Sequence, residues 1–247
     1  MPSDPIHSPT RIVVFDVDGT LIQGHTQILF VHDIVRRGEA SRVLLIQIGW
    51  WYALYRLGIR LPVAQIQSRM VGAFAGMPID HLQSMLDAFT TEVLADRLFP
   101  DALAELSARR RDGAHIVLVS ASLDFIIDRL ARMVGADGAI ATRLVPPIDG
   151  RLSGQIESEM VYGEAKLAAV RRYANERFKD WVIDTAYGDH ESDQFLLAAA
   201  ERAVVVNPDQ RLETIARRSG WQIVRWRRSG GQGSAGRSTG RLRRQDY

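Results

Sequence analysis

Ile12-Val13-Val14-Phe15 runs directly into Asp16-Val17-Asp18-Gly19-Thr20. An unbroken run of β-branched and aromatic residues marks a strand covered on both faces, which restricts the chain to a parallel sheet with helices on either side. The aspartates then emerge at the strand's carboxyl end, where open α/β sheets hold their ligands. Two apart on an extended chain, Asp16 and Asp18 share one face, so one carboxylate can attack a substrate while the other handles protons. By itself the segment reads equally well as an Asx-rich turn, since Asp-Gly-Thr is ordinary turn chemistry.

Three later segments separate the two readings. Residues 116–119 form a second run of the buried type, ending in Ser120-Ala121-Ser122, and residues 181–187 a third, ending in Gly188-Asp189-His190-Glu191-Ser192-Asp193. Between them Gly163-Glu164-Ala165-Lys166 opens a helix. Singly, a Ser after a strand is a helix cap, a Lys at a helix start is solvated, and an acidic loop is only a loop. In this order and spacing the four segments are jointly specific.

On these motifs the chain resembles the haloacid dehalogenase superfamily, and within it the phosphoserine-phosphatase-like branch (subclass IB), over residues 11–226. The resemblance implies hydrolysis through a phosphoryl-aspartate. Asp16 would be the nucleophile, Asp18 the general acid/base, Ser120 a ligand of a phosphoryl oxygen, and Lys166 the cation that neutralises phosphate and nucleophile. Mg²⁺ would be held by Asp16, the backbone carbonyl of Asp18 and Asp189. Asp193 would orient Lys166 or the metal's water, with Ser192 and Ala121 in supporting places. By the same resemblance, an Asp at position 18 is the phosphatase and mutase pattern, while dehalogenases and transport ATPases carry other residues there.

Elementary electrostatics agrees with those roles. Carboxylates crowded at strand ends stay ionised only beside compensating positive charge, which Lys166 and a Mg²⁺ supply. Mg²⁺ takes a few carboxylates plus waters and phosphate oxygens, and the chain has no cysteine to offer instead. Phosphoryl transfer needs positioning and charge neutralisation above all, and amides beyond the strand ends help to cradle the phosphate.

Glycines divide the chain. Residues 24–98 show helical periodicity in four stretches broken near Gly38, Gly58 and Gly76: Ile28/Val31/Ile34/Val35, residues 43–55, Val63/Ile66/Met70/Phe74, and Leu82/Met85/Leu86/Phe89/Val93. This region reads as a helical cap inserted into a core of residues 1–23 and 99–227. From Pro100 onward helices and strands alternate, with one helix over residues 101–111 closed by Gly113 and another from Leu123 to Met133 closed by Gly135. Short strands follow at 139–143, 203–206 and 221–224. The fold class expected is α/β, a doubly wound, Rossmann-like parallel sheet with the inserted cap.

The run 43–55 contains Trp50-Trp51-Tyr52 between Arg42 and Arg56. Its 13 residues would reach ~20 Å as a helix against roughly 30 Å of bilayer hydrocarbon, so it does not cross. It reads as a buried helix or as one lying in a membrane interface. Residues 228–247 have linker composition and are expected to be a disordered Arg/Gly/Ser-rich tail. Residues 225–247 hold seven Arg and one Asp, a net +6 in a chain of net +2, so the first 224 residues carry −4. The tail is read as solvated, with weak contact to anionic membrane as its functional alternative and no specific nucleic-acid partner. The polar, Pro/Ser-rich first ten residues lack an apolar signal core, so cytoplasmic localisation is expected.

In phosphoserine phosphatases the cap supplies a carboxylate soon after the first motif. The matching stretch here is Gln23-Gly24-His25-Thr26, which counts against phosphoserine. His25 and Arg69 remain as candidate substrate contacts. The sequence therefore points to a Mg²⁺-dependent phosphatase of a small phosphorylated metabolite, of the amino-acid or amino-alcohol phosphate type. A lipid-headgroup phosphatase of the phosphatidylglycerophosphate type at a membrane surface, and a non-catalytic binding protein on the same fold, are the alternatives.

Overall fold

The computed structural model describes residues 8–39, 43, 46, 50 and 63–227, with side chains from residue 67 in the last segment. Trp51, Tyr52 and the tail 228–247 lie outside the described residues. Six parallel strands form one sheet in the order β3-β2-β1-β4-β5-β6. They are β1 (Thr10–Asp16), β2 (His115–Leu123), β3 (Gly138–Thr142), β4 (Trp181–Gly188), β5 (Arg202–Val206) and β6 (Gln222–Val224). The chain builds one side of the sheet from β1 to β3, then crosses back to β4 and builds the other. That reversal beside β1 is the topological switch point at which doubly wound sheets bind ligands.

The strands alternate between two apolar cores, as a sheet covered on both faces requires. Ile12, Val14, Val117 and Val119 face the helices α6 (Glu164–Arg177), α7 (Gln194–Ala199) and α8 (Gln210–Ser219). Val13, Phe15, Ile116 and Leu118 face α4 (Pro100–Arg111) and α5 (Asp124–Val134). Between β1 and α4 lie α1 (Thr26–Arg36), α2 (Val63–Gly72) and α3 (Ile79–Phe89), followed by a π-turn (Thr90–Leu94). The second core continues into them without a break, through Phe30, Ile34, Phe74, Leu82, Leu86 and Phe89. Phe30 packs edge-on against Phe89 at 5.2 Å and against Phe125 of α5 at 6.1 Å. These helices are thereby anchored over the carboxyl end of the sheet.

Two local features depart from expectation. β2 continues to Leu123, and its register against β3 shifts between Val119 and Leu123, so Ser120-Ala121-Ser122 form an irregular extension of the strand rather than a helix cap. Residues 144–156 fold back on themselves through the bridges Leu144–Ile156 and Ile148–Arg151, and Arg151 pairs with Pro78. With Pro146-Pro147 in its middle, this hairpin has no alternating pattern to announce it.

Candidate active site

The three buried strands deliver the motif residues to one point. In the β1–β2 register Asp16 lies opposite Val119, and Phe15 pairs with Tyr187 on the other side, so Asp16, Ser120 and Asp189 all stand at the carboxyl edge. Stacking of the Phe15 and Tyr187 rings at 4.1 Å fixes that register one residue below the site.

Lys166, in the first turn of α6, reaches back over the edge and is buried. Its Nζ donates to Asp16 Oδ1 at 2.5 Å and to Asp193 Oδ1 at 2.6 Å. Oxygens of Asp16, Asp189 and Asp193 lie within 4.8 Å of one another. One ammonium cannot balance three carboxylates. Burial, opposed by Lys166 but reinforced by Asp193 and Asp18, pushes Asp16 from 3.8 up to about 7. Burial with Asp16 and Asp193 alongside raises Asp189 as well. For Lys166 the two carboxylates outweigh burial, and its pKa rises. The lysine is permanently charged, and the site still carries excess negative charge on oxygen donors alone, a donor set that fits a hard divalent cation.

Asp193 is held by its second oxygen, which accepts from His190 N at 3.3 Å, and its Oδ1 is committed to Lys166. Gly188 permits this approach, because a Cβ there would stand 2.7 Å from that of Asp193. Ser192 is tied to the same turn through His190 Nδ1. Gly19 has φ +84°, and a Cβ on it would collide with the Asp189 carboxylate. Gly19→Ala is therefore expected to displace Asp189, lowering turnover at least about tenfold and stability by about 1–2 kcal/mol. Unchanged rates and melting temperature would refute this placement of Asp189.

Asp18 Oδ1 accepts from the backbone N–H of Thr26 at 2.7 Å, capping α1 from a distance. His25 occupies the N-cap position itself and is exposed, without a side-chain cap bond. Arg69 is exposed on α2. The residue that α2 brings to the 120–122 loop is Gln67, buried, whose Nε2 donates to the Ala121 carbonyl at 2.9 Å. Thr142 Oγ1 donates to the same carbonyl at 3.0 Å, and Thr26 Oγ1 to Ser122 Oγ at 2.8 Å. Ser120 Oγ accepts from Ser122 N at 3.0 Å. Sequence reasoning missed Gln67, Thr26 and Thr142. Only Gln67 left a signal, a polar residue on the apolar stripe Val63/Ile66/Met70/Phe74.

The model of haloacid dehalogenase-like hydrolases matches residues 13–198, which contain every one of these side chains. The chain belongs to that family. A mycobacterial relative, the phosphoserine phosphatase SerB1 of Mycobacterium tuberculosis, is 29% identical over 223 residues, covering 87% of this chain and 70% of its own. The crystal structure of a protein of unknown function from Bordetella pertussis Tohama I superposes with a TM-score of 0.80 at 25% identity, over 88% of this chain and 99% of that one. A phospho-aspartyl intermediate analogue of phosphoserine phosphatase superposes at 0.62 with 19% identity, over 90% and 96%. The α/β sheet of this hydrolase family, with its helical insertion after β1, is thus the same fold as theirs. No helix among the described residues is long and apolar enough to cross a membrane.

Proposed function

We propose that this phosphoric monoester hydrolase acts on a small phosphorylated metabolite, of the amino-acid or amino-alcohol phosphate type, with Asp16 as nucleophile. The observation that carries the reading is the buried Asp16 carboxylate, held by Lys166 at 2.5 Å with Asp189 and Asp193 beside it. Mg²⁺, general to this family, would be held by Asp16, Asp189 and the backbone carbonyl of Asp18. When bound it supplies charge to offset repulsion between the carboxylates and the phosphate.

In the first step an Asp16 oxygen forms a bond to phosphorus while the ester P–O bond breaks, and Asp18 gives its proton to the departing alkoxide. Lys166 stays charged throughout and offsets the charge on Asp16 and the transferring group. The Ser120 hydroxyl and the neighbouring amides hold phosphoryl oxygens. In the second step Asp18 takes a proton from water as the water oxygen bonds to phosphorus and the Asp16–phosphorus bond breaks. Asp193 keeps Lys166 aimed at Asp16. The helices of residues 24–98 form the cap that discriminates among leaving groups, with Gln67 on the Ala121 carbonyl and His25 and Arg69 as its candidate substrate contacts.

A panel of phosphate esters tests this. Amino-alcohol and amino-acid phosphates should lead, with phosphoserine behind the best of them, since the stretch Gln23-Gly24-His25-Thr26 carries no carboxylate of its own. A preference for diesters, or no ester hydrolysed, would sink the reading. Chelation should abolish turnover and Mg²⁺ restore it, while Ca²⁺ inhibits through its looser coordination. Because the Asp16 carboxyl is raised to about 7 in the folded protein, the metal-free native state holds more protons than the unfolded chain between pH ~4 and ~7. Stability of the stripped protein should therefore fall as pH rises through that window, and Mg²⁺ should flatten the slope. A pH-independent melt of the chelated protein would contradict the charge excess.

A further inference from the structure

Among the described residues two buried side-chain polar atoms have no hydrogen-bond partner, Thr20 Oγ1 and Gln67 Oε1. Such atoms are rare in folded proteins, and each calls for a cause. Both belong to segments that meet at the carboxyl edge of the sheet. Thr20 closes the segment that begins at Asp16, whereas Gln67 comes from the inserted helices and reaches the 120–122 loop.

Gln67 lies on the buried face of α2, four and seven residues before Val71 and Phe74, and is only 4% exposed. Its Nε2 donates to the Ala121 carbonyl at 2.9 Å. That bond fixes the amide, since the reverse orientation would set two carbonyl oxygens against each other. The Ala121 carbonyl is supplied without it: Thr142 Oγ1 donates at 3.0 Å and Gln27 Nε2, from α1, at 3.4 Å, and the oxygen has two lone pairs. Gln67 therefore adds a donor the loop can do without, and buries an acceptor whose desolvation nothing in the fold returns. Ala121 lies between Ser120 and Ser122, and Ser122 N donates to Ser120 Oγ at 3.0 Å. One peptide thus separates the Gln67 amide from the hydroxyl proposed to hold a phosphoryl oxygen.

We propose that Gln67 is a specificity-determining residue, its Oε1 accepting a hydrogen bond from the ammonium of the leaving group. The inference rests on the phosphatase reading above and names the side chain that selects the amino class. A carbonyl oxygen only accepts, so the ligand must bring an N–H or O–H donor. The excess negative charge of Asp16, Asp189 and Asp193 around one lysine favours the cationic donor. The stretch Gln23-Gly24-His25-Thr26 has no carboxylate to take that part. A leaving group that ends in a methyl leaves Oε1 buried without a donor, the asymmetry by which buried polar groups reject ligands lacking a hydrogen bond.

The full chain with Mg²⁺ is assayed on ethanolamine phosphate and on ethyl phosphate, which lacks the amine. Wild type should favour ethanolamine phosphate at least about tenfold in kcat/KM, and Q67M should lose most of that preference through a rise in KM for the amine-bearing ester. A loss common to both esters cancels in the ratio. Q67M should also melt no lower than wild type, because the substitution removes a buried unsatisfied acceptor, an outcome opposite to that of a purely structural residue. Should Q67M fail to fold by circular dichroism, Q67L carries the same comparison. An unchanged ester ratio in an active variant, or a lower melting temperature with equal loss on both esters, would overturn the inference alone. Failure of wild type to hydrolyse these esters and phenyl phosphate would instead overturn the phosphatase reading, and the role of Gln67 with it.

Discussion

Asp16→Asn eliminates turnover and the phosphoenzyme together. The amide is nearly isosteric with the carboxylate, so the fold should be kept, but it is no nucleophile toward phosphorus. Without metal the variant should melt higher than wild type at pH 8, by about 1–3 kcal/mol, because a carboxylate whose charge is disfavoured in the folded state has been removed. That gain separates loss of chemistry from loss of structure. Rapid quench with labelled phosphate ester reads the intermediate, and a melt in chelator reads the stability. An Asp16→Asn protein that still becomes phosphorylated at the site would overturn the mechanism.

Asp18→Asn should slow both chemical steps by ~10²–10⁴-fold, the usual range for a lost acid/base. The substitution is clean here because Asp18 Oδ1 accepts from Thr26 N, and the Asn carbonyl preserves that acceptor, so α1 keeps its cap. Leaving groups that need no protonation should recover most of the first step. With an aryl phosphate the variant should therefore accumulate phosphoenzyme, its second step still lacking a base. Wild-type turnover by Asp18→Asn, or an equal deficit for aryl and alkyl esters, would remove Asp18 from the acid/base role.

Much of the catalytic end was legible because its signals are local. A buried strand shows as an apolar run whatever surrounds it, and polar residues just past its end lie at the sheet's carboxyl edge by topology alone. Ile12–Phe15, residues 116–119 and residues 181–187 all read in this way. The helix ends at Gly113 and Gly135 were legible for the same reason, since Gly135 at φ +68° supplies the left-handed closing residue that the glycine announced. The irregular end of β2 was not legible. A shift of register depends on the neighbouring strand, and Ser120-Ala121-Ser122 in isolation has the composition of a cap.

The residues that hold the site were hidden for a different reason. Gln67 and Thr142 meet at one carbonyl across 75 positions of chain, and Thr26 reaches Ser122 across 96. Such contacts have no period and no spacing rule. His25 and Arg69 were singled out by their position relative to the motifs, yet the fold turns both toward solvent and turns Gln67 inward, since burial on α2 is decided by where α2 packs.

By itself, then, the order of apolar runs and charged strand ends determined the α/β class, the switch-point address of Asp16 and the identity of its charged neighbours, because period-2 and period-3.6 patterning and strand-end chemistry act within a few residues. Tertiary structure alone decided that Lys166 sits between Asp16 and Asp193 and that three carboxylates share one ammonium. Those are outcomes of packing between segments far apart in the chain, where distance and burial, rather than residue type, set the charge balance.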